Sequence, residues 1–85
     1  MLLIVGLSSK GDLFPIKVLD EVDSVLIAAG FKKEVRSVVK PGKEFSVTYE
    51  GPSLERSRIE EMLKPVVEQN QIGFSVEVED SVRFP

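Results

Sequence analysis

KEVRSVVKPGKEFSVTYE, residues 33–50, decides how this chain is read. Two β-prone runs, 33–40 and 44–50, flank Pro41-Gly42. Proline supplies the φ that the second position of a turn wants, and glycine accepts the positive φ that a type II turn needs at the third. The stretch is therefore a β-hairpin. A two-residue loop would set Val38 opposite Phe45 and Lys40 opposite Lys43. Alternation favours another register: Phe45, Val47 and Tyr49 share one face and pair best with Val39 and Val35, which requires a three-residue loop or a bulge.

Outward from the hairpin, each flank repeats one pattern. On the N-terminal side, Ile16, Leu19, Val22, Leu26 and Ala29 recur at intervals of three and four, which puts them on one helical face over 13–29. Lys17, Asp20, Glu21 and Ser24 take the opposite side. Asp12 is placed to cap this helix, Pro15 fits its first turn, and Gly30 ends it. Before it, LLIVGL at 2–7 is apolar on both faces, the mark of a central strand covered on both sides. On the C-terminal side, Ile59, Met62, Leu63 and Val66 mark a helix over 53–69, capped by Ser53, or beginning later at the capping-box pattern Ser57-Arg58-Ile59-Glu60, and kinked or ended near Pro65. The last strand, IGFSVEVE at 72–79, alternates Phe74, Val76 and Val78 with Ser75, Glu77 and Glu79, as an edge strand does.

The order β-α-β-β-α-β follows. Two right-handed crossovers joined by a hairpin give a ferredoxin-like α+β sandwich. It has a four-stranded antiparallel sheet in the order 4-1-3-2, with two helices on one face. The 85 residues make a single domain, 1–85.

Composition removes several chemistries. There is no cysteine, so thiol catalysis, thiolate metal sites and disulfides are absent. There is no histidine, the commonest general base and transition-metal ligand. Catalysis would rest on carboxylates, lysines, hydroxyls or a bound cofactor of unknown kind. The net charge of −3 disfavours nucleic acid as a partner, although Lys32, Lys33, Arg36, Lys40 and Lys43 gather near the hairpin. The apolar N-terminus MLLIVGL has no basic residue before it and is far shorter than the ~20 residues a membrane span needs. The chain is expected in the cytoplasm, away from membranes. Surplus apolar surface, Val38 included, points to a homodimer, and a monomer with scattered surface valines is the plainer reading of it.

The loop between the first strand and the first helix is the candidate binding site: Ser8, Ser9, Lys10, Gly11 and Asp12. Gly6 and Gly11 have the spacing of a phosphate-binding P-loop, but Asp12 and Leu13 stand where that motif needs Lys and Ser or Thr. A small anion or zwitterion is the better fit. Backbone N–H groups at a helix start attract a carboxylate, Ser8, Ser9 and Lys10 donate, and Asp12 meets an amino group. An ordinary strand-to-helix turn is the plainer reading of the same residues. Glu77, Glu79 and Asp80 form a second candidate, a hard-cation site built from carboxylate oxygens. A solvated acidic face is its plainer reading.

Gly11-x-Leu13 at the entry to the first helix and Gly30 at its end resemble ACT-type regulatory domains, small β-α-β-β-α-β modules that often bind amino acids. Asp12, and the lack of a proline before Gly11, depart from that pattern. The resemblance implies a binding module. Two other readings compete with it: an enzyme, or accessory subunit of one, that uses carboxylates or Lys10, and a divalent-cation-dependent interaction domain.

Overall fold

The computed structural model describes residues 1–11 and 14–79. Six elements follow one another: β1 (Leu2–Ser9), α1 (Lys17–Ala28), β2 (Lys32–Lys40), β3 (Glu44–Glu50), α2 (Arg56–Asn70) and β4 (Ile72–Glu79). The four strands form one antiparallel sheet in the order β2-β3-β1-β4. Read from its other edge, that is the 4-1-3-2 order expected of a ferredoxin-like sandwich.

The centre of the sheet explains its stability. Leu3, Val5 and Leu7 of β1 pair with Tyr49, Val47 and Phe45 on β3 and with Val78, Val76 and Phe74 on β4. Residues directly opposite in a ladder share a face, so these side chains form one apolar surface. Both helices close over it, with Val18, Leu19, Val22 and Leu26 from α1 and Ile59, Leu63 and Val67 from α2. Burying each such side chain is worth about 1.5–3 kcal/mol. The expectation that β1 is covered on both sides needs correction. Leu2 and Ile4 face the other way and are only half-buried, because no helix or strand among the described residues covers that face. Their shielding comes from ladder neighbours, with Thr48 and Glu77 beside Ile4 and Glu50 and Glu79 beside Leu2.

Both helices start later than their apolar patterns suggest. α1 begins after Pro15, with Ile16 as its N-cap and no side-chain cap. The helical region is disfavoured for a residue before proline, and Phe14 stands outside the helix, its N–H donating instead to the Gly42 carbonyl of the hairpin turn. The expected cap, Asp12, lies outside the described residues. α1 ends as read: Gly30, at φ 100°, donates to the Ile27 carbonyl while Phe31 donates to that of Leu26. These two bonds are a Schellman motif, which needs a left-handed residue at Gly30. α2 starts at Arg56 rather than beside Ser53 and continues through Pro65 to Asn70. Pro65 lies on the exposed side, where water can satisfy the carbonyl it frees, while Leu63 and Val67 hold both flanks to the core.

The hairpin turn is the expected one. Lys43 donates its N–H to the Lys40 carbonyl at 2.9 Å, and Gly42 has φ 72°. The register differs from the expectation. Lys40 pairs with Glu44, but a bulge at Val39 takes back the residue that the longer loop added. Val38 therefore faces Phe45 and Arg36 faces Val47, and a second bulge, at Glu34, shifts the pairing one residue further and sets Lys33 opposite Tyr49.

Candidate functional site

The strand period divides the predicted loop. Ser8 is the last residue of β1 that pairs on the open face, between Glu44 and Gly73. There it borders a hollow of about 340 Å³ with Gly6, Glu44, Gly73 and Ser75. Ser9 belongs to the other side. Its hydroxyl accepts from the Gly11 N–H at 3.0 Å and donates to the Gly11 carbonyl at 3.1 Å, which folds the chain into a local turn. Two backbone bonds of 2.8 Å, Ser9 N–H to the Lys43 carbonyl and Phe14 N–H to the Gly42 carbonyl, tie this segment to the hairpin turn.

Ser9, Lys10 and Gly11 line a depression of about 350 Å³ with Pro15, Asn70, Gln71 and Ile72. Three of the five predicted loop residues thus meet at one concave place. Ser8 does not join them, and Asp12 lies outside the described residues. The helix end at this depression is the carboxyl end of α2. The Asn70 amide donates to the Val66 carbonyl at 2.9 Å and to Glu21 Oε1 at 3.0 Å, which fixes that end against α1. Gln71 closes the helix in the left-handed region, at φ 55°. A helix carboxyl end carries about half a negative charge on its last carbonyls. The depression therefore has negative character from α2 and positive charge from the exposed Lys10.

Glu77 and Glu79 lie as read, on the open face of β4 opposite Ile4 and Leu2. No group of three or more acidic, histidine or cysteine side chains suited to a metal exists among the described residues. Asp80 lies outside them. No helix among the described residues is long and apolar enough to cross a membrane.

Sequence reasoning missed a polar cluster under β2. Asp23 on α1 is 8% exposed and sits among core side chains. Its Oδ1 accepts a hydrogen bond from the Tyr49 hydroxyl. Its Oδ2 accepts from Lys33 Nζ at 3.0 Å and Arg36 Nη2 at 3.3 Å. Burial, then the hydrogen bond and charge of Asp23, push the Tyr49 hydroxyl well above the ordinary tyrosine range, and Arg36 offsets this in part. Tyr49 is thereby held as a donor. The side chains of Lys33 and Arg36 remain 40% and 35% exposed, so solvent screens both ion pairs and the buried hydroxyl–carboxylate contact matters most. The cluster anchors β2 to α1. Its sequence signal was an acid on the inward stripe: Asp23 stands one turn from Leu19, and Tyr49 keeps the inward alternation of Phe45 and Val47.

No family model matches the sequence, and no curated protein matches it. Solved structures do share the fold. A formyltetrahydrofolate deformylase from Pseudomonas putida aligns at a TM-score of 0.64 and 13% identity, over 93% of this chain and 29% of its own. One from Burkholderia mallei aligns at 0.61 and 11%, over 89% of this chain and 27% of its own. A duf3240 family protein from Shewanella baltica aligns over 99% of this chain and 96% of its own, at 14% identity and a TM-score of 0.49. This chain spans less than a third of the length of the two deformylases. At these identities the likeness to the deformylases shows a common ferredoxin-like fold and nothing of their chemistry.

Proposed function

We propose that this chain is a small ligand-binding module, and that its ligand is a small zwitterion or anion held between the Ser9–Gly11 loop and the carboxyl end of α2. One observation carries the reading: Lys10 and the end of α2 border the same depression, with opposite electrical character. A free amino acid matches that pair. Its carboxylate meets the Lys10 ammonium and its amino group meets the last carbonyls of α2. The depression, about 350 Å³, lies at the small end of the usual range for ligand sites, which suits a molecule of few heavy atoms. The sequence resemblance to ACT-type modules supports the same ligand class. Ser8 and Asp12 flank the site in the chain.

The test is an amide NMR titration with single amino acids and, separately, inorganic phosphate. Shifts are expected at residues 8–11 and 70–73, larger for amino acids than for phosphate, and lost in Lys10→Glu. Amides unmoved by every amino acid and by phosphate would end this reading.

A further inference from the structure

The two edges of the sheet differ in charge and complement each other. β2 carries Lys32, Lys33, Arg36 and Lys40 against the single acid Glu34, a net charge of +3 in a chain whose total is −3. β4 carries Glu77 and Glu79 and no cation. All nine residues of β2 are exposed, and Val35, Val38 and Val39 are exposed by 55, 58 and 54%. α1 reaches β2 chiefly through Asp23, which takes up Lys33 and Arg36 and leaves the valines uncovered. Such a strand presents unpaired N–H and C=O groups together with apolar side chains, a template for pairing with another strand.

We propose that copies of this chain associate head to tail, with the β2 edge of one paired to the β4 edge of the next in a continuous antiparallel sheet. Strand direction permits it without any rotation. Neighbouring strands alternate throughout β2-β3-β1-β4, so β2 and β4 run in opposite senses. A β2 strand laid beside β4 of another copy is therefore antiparallel to it, and the helices of both copies stay on one face. With the strand ends level, Lys32 stands opposite Glu79 of the next copy on the open face. On the helix side, Val38 comes beside Phe74 of the next copy, itself only half-buried.

Charge selects this occupant over the symmetric ones. Pairing β2 with another β2 sets two strands of net +3 side by side, and pairing β4 with another β4 crowds four glutamates. Like charges in register oppose pairing, and opposite charges favour it. Lysines and bulges at a sheet edge commonly deter strand addition. Here the bulges at Glu34 and Val39 bracket a regular stretch, and the lysines repel another β2 while attracting β4. The contact is heterologous, so each copy keeps one free edge of each kind, and growth continues until a ring closes or a filament forms. This inference does not rest on the ligand reading.

The test uses the 85-residue chain and two charge-reversed variants. Lys32→Glu with Lys40→Glu makes both edges acidic, and Glu77→Lys with Glu79→Lys makes both basic. None of the four residues belongs to the Asp23 cluster, and thermal melts confirm that each variant is folded. Sedimentation velocity of the native chain is expected to show association that rises with concentration and falls with salt. Each variant alone is expected to associate more weakly, on the order of tenfold. An equimolar mixture of the two is expected to recover the assembly, because acidic edges then meet basic ones. A native chain that stays monomeric at every concentration overturns the proposal. So does weaker association in the β2 variant with none in the β4 variant, which marks a symmetric contact, and so does a mixture that fails to recover.

Discussion

Asp23 is the one buried charged side chain among the described residues, and Tyr49 is its buried partner. A tyrosine whose proton is held more tightly when folded adds stability below its unfolded pKa of about 10. That stability is lost as pH rises beyond about 10, because the unfolded chain then releases a proton that the folded chain keeps. The chain has one tyrosine and no tryptophan, so phenolate absorbance reports this group alone. The expected outcome is no phenolate signal while the chain is folded, followed by its appearance together with alkaline unfolding. Asp23→Ala removes two of the three causes that raise the Tyr49 pKa and leaves Arg36, which lowers it. The variant should titrate at a lower pH than the native chain. It should also lose about 1–3 kcal/mol in urea, the cost of a buried hydroxyl without its partner. Phenolate appearing near pH 10 in a fully folded native chain would contradict the burial argument.

Elements show which punctuation a sequence makes visible. Gly30 and Pro41-Gly42 were legible because each has a backbone requirement that few residues meet, and both hold in the structure. The hairpin register was not legible. The bulge at Glu34 lies between Lys33 and Arg36, which both reach Asp23 on α1, a tertiary contact that strand alternation does not reveal. Pro65 does not end α2, because packing at Leu63 and Val67 outweighs one lost backbone bond. The site divided in the same way. Ser9, Lys10 and Gly11 do line a depression, but its negative wall comes from the end of α2, which no glycine marks. Gln71 holds the left-handed position there, where a side chain costs roughly 1 kcal/mol. Gln71→Gly is therefore expected to raise stability by about 0.5–1 kcal/mol, read as a higher urea midpoint at unchanged m-value. A lower midpoint would show that the Gln71 side chain does more for the native state than its backbone strain takes away.

At the scale of the whole molecule, stability should fall off across the sheet. β1 is paired on both sides, and its inward residues are buried under two helices. β2 is paired on one side only and buries none of its residues. What holds β2 is its ladder to β3 and the Asp23 cluster, whose two ion pairs are screened by water. Local opening draws on regions with few buried apolar contacts, so β2 can open without global unfolding while β1 cannot. In a dilute sample at high salt, where copies are dispersed, amides of β2 are expected to exchange with solvent orders of magnitude faster than those of β1. Raising the concentration at low salt should then slow exchange at β2 and β4 together, since an edge that gains a neighbouring strand gains hydrogen bonds for its outward amides. Slowing at β2 without β4 would assign the edge to a different partner. Equal protection of β1 and β2 in the dispersed state would mean that β2 is held by more than its ladder and the Asp23 cluster.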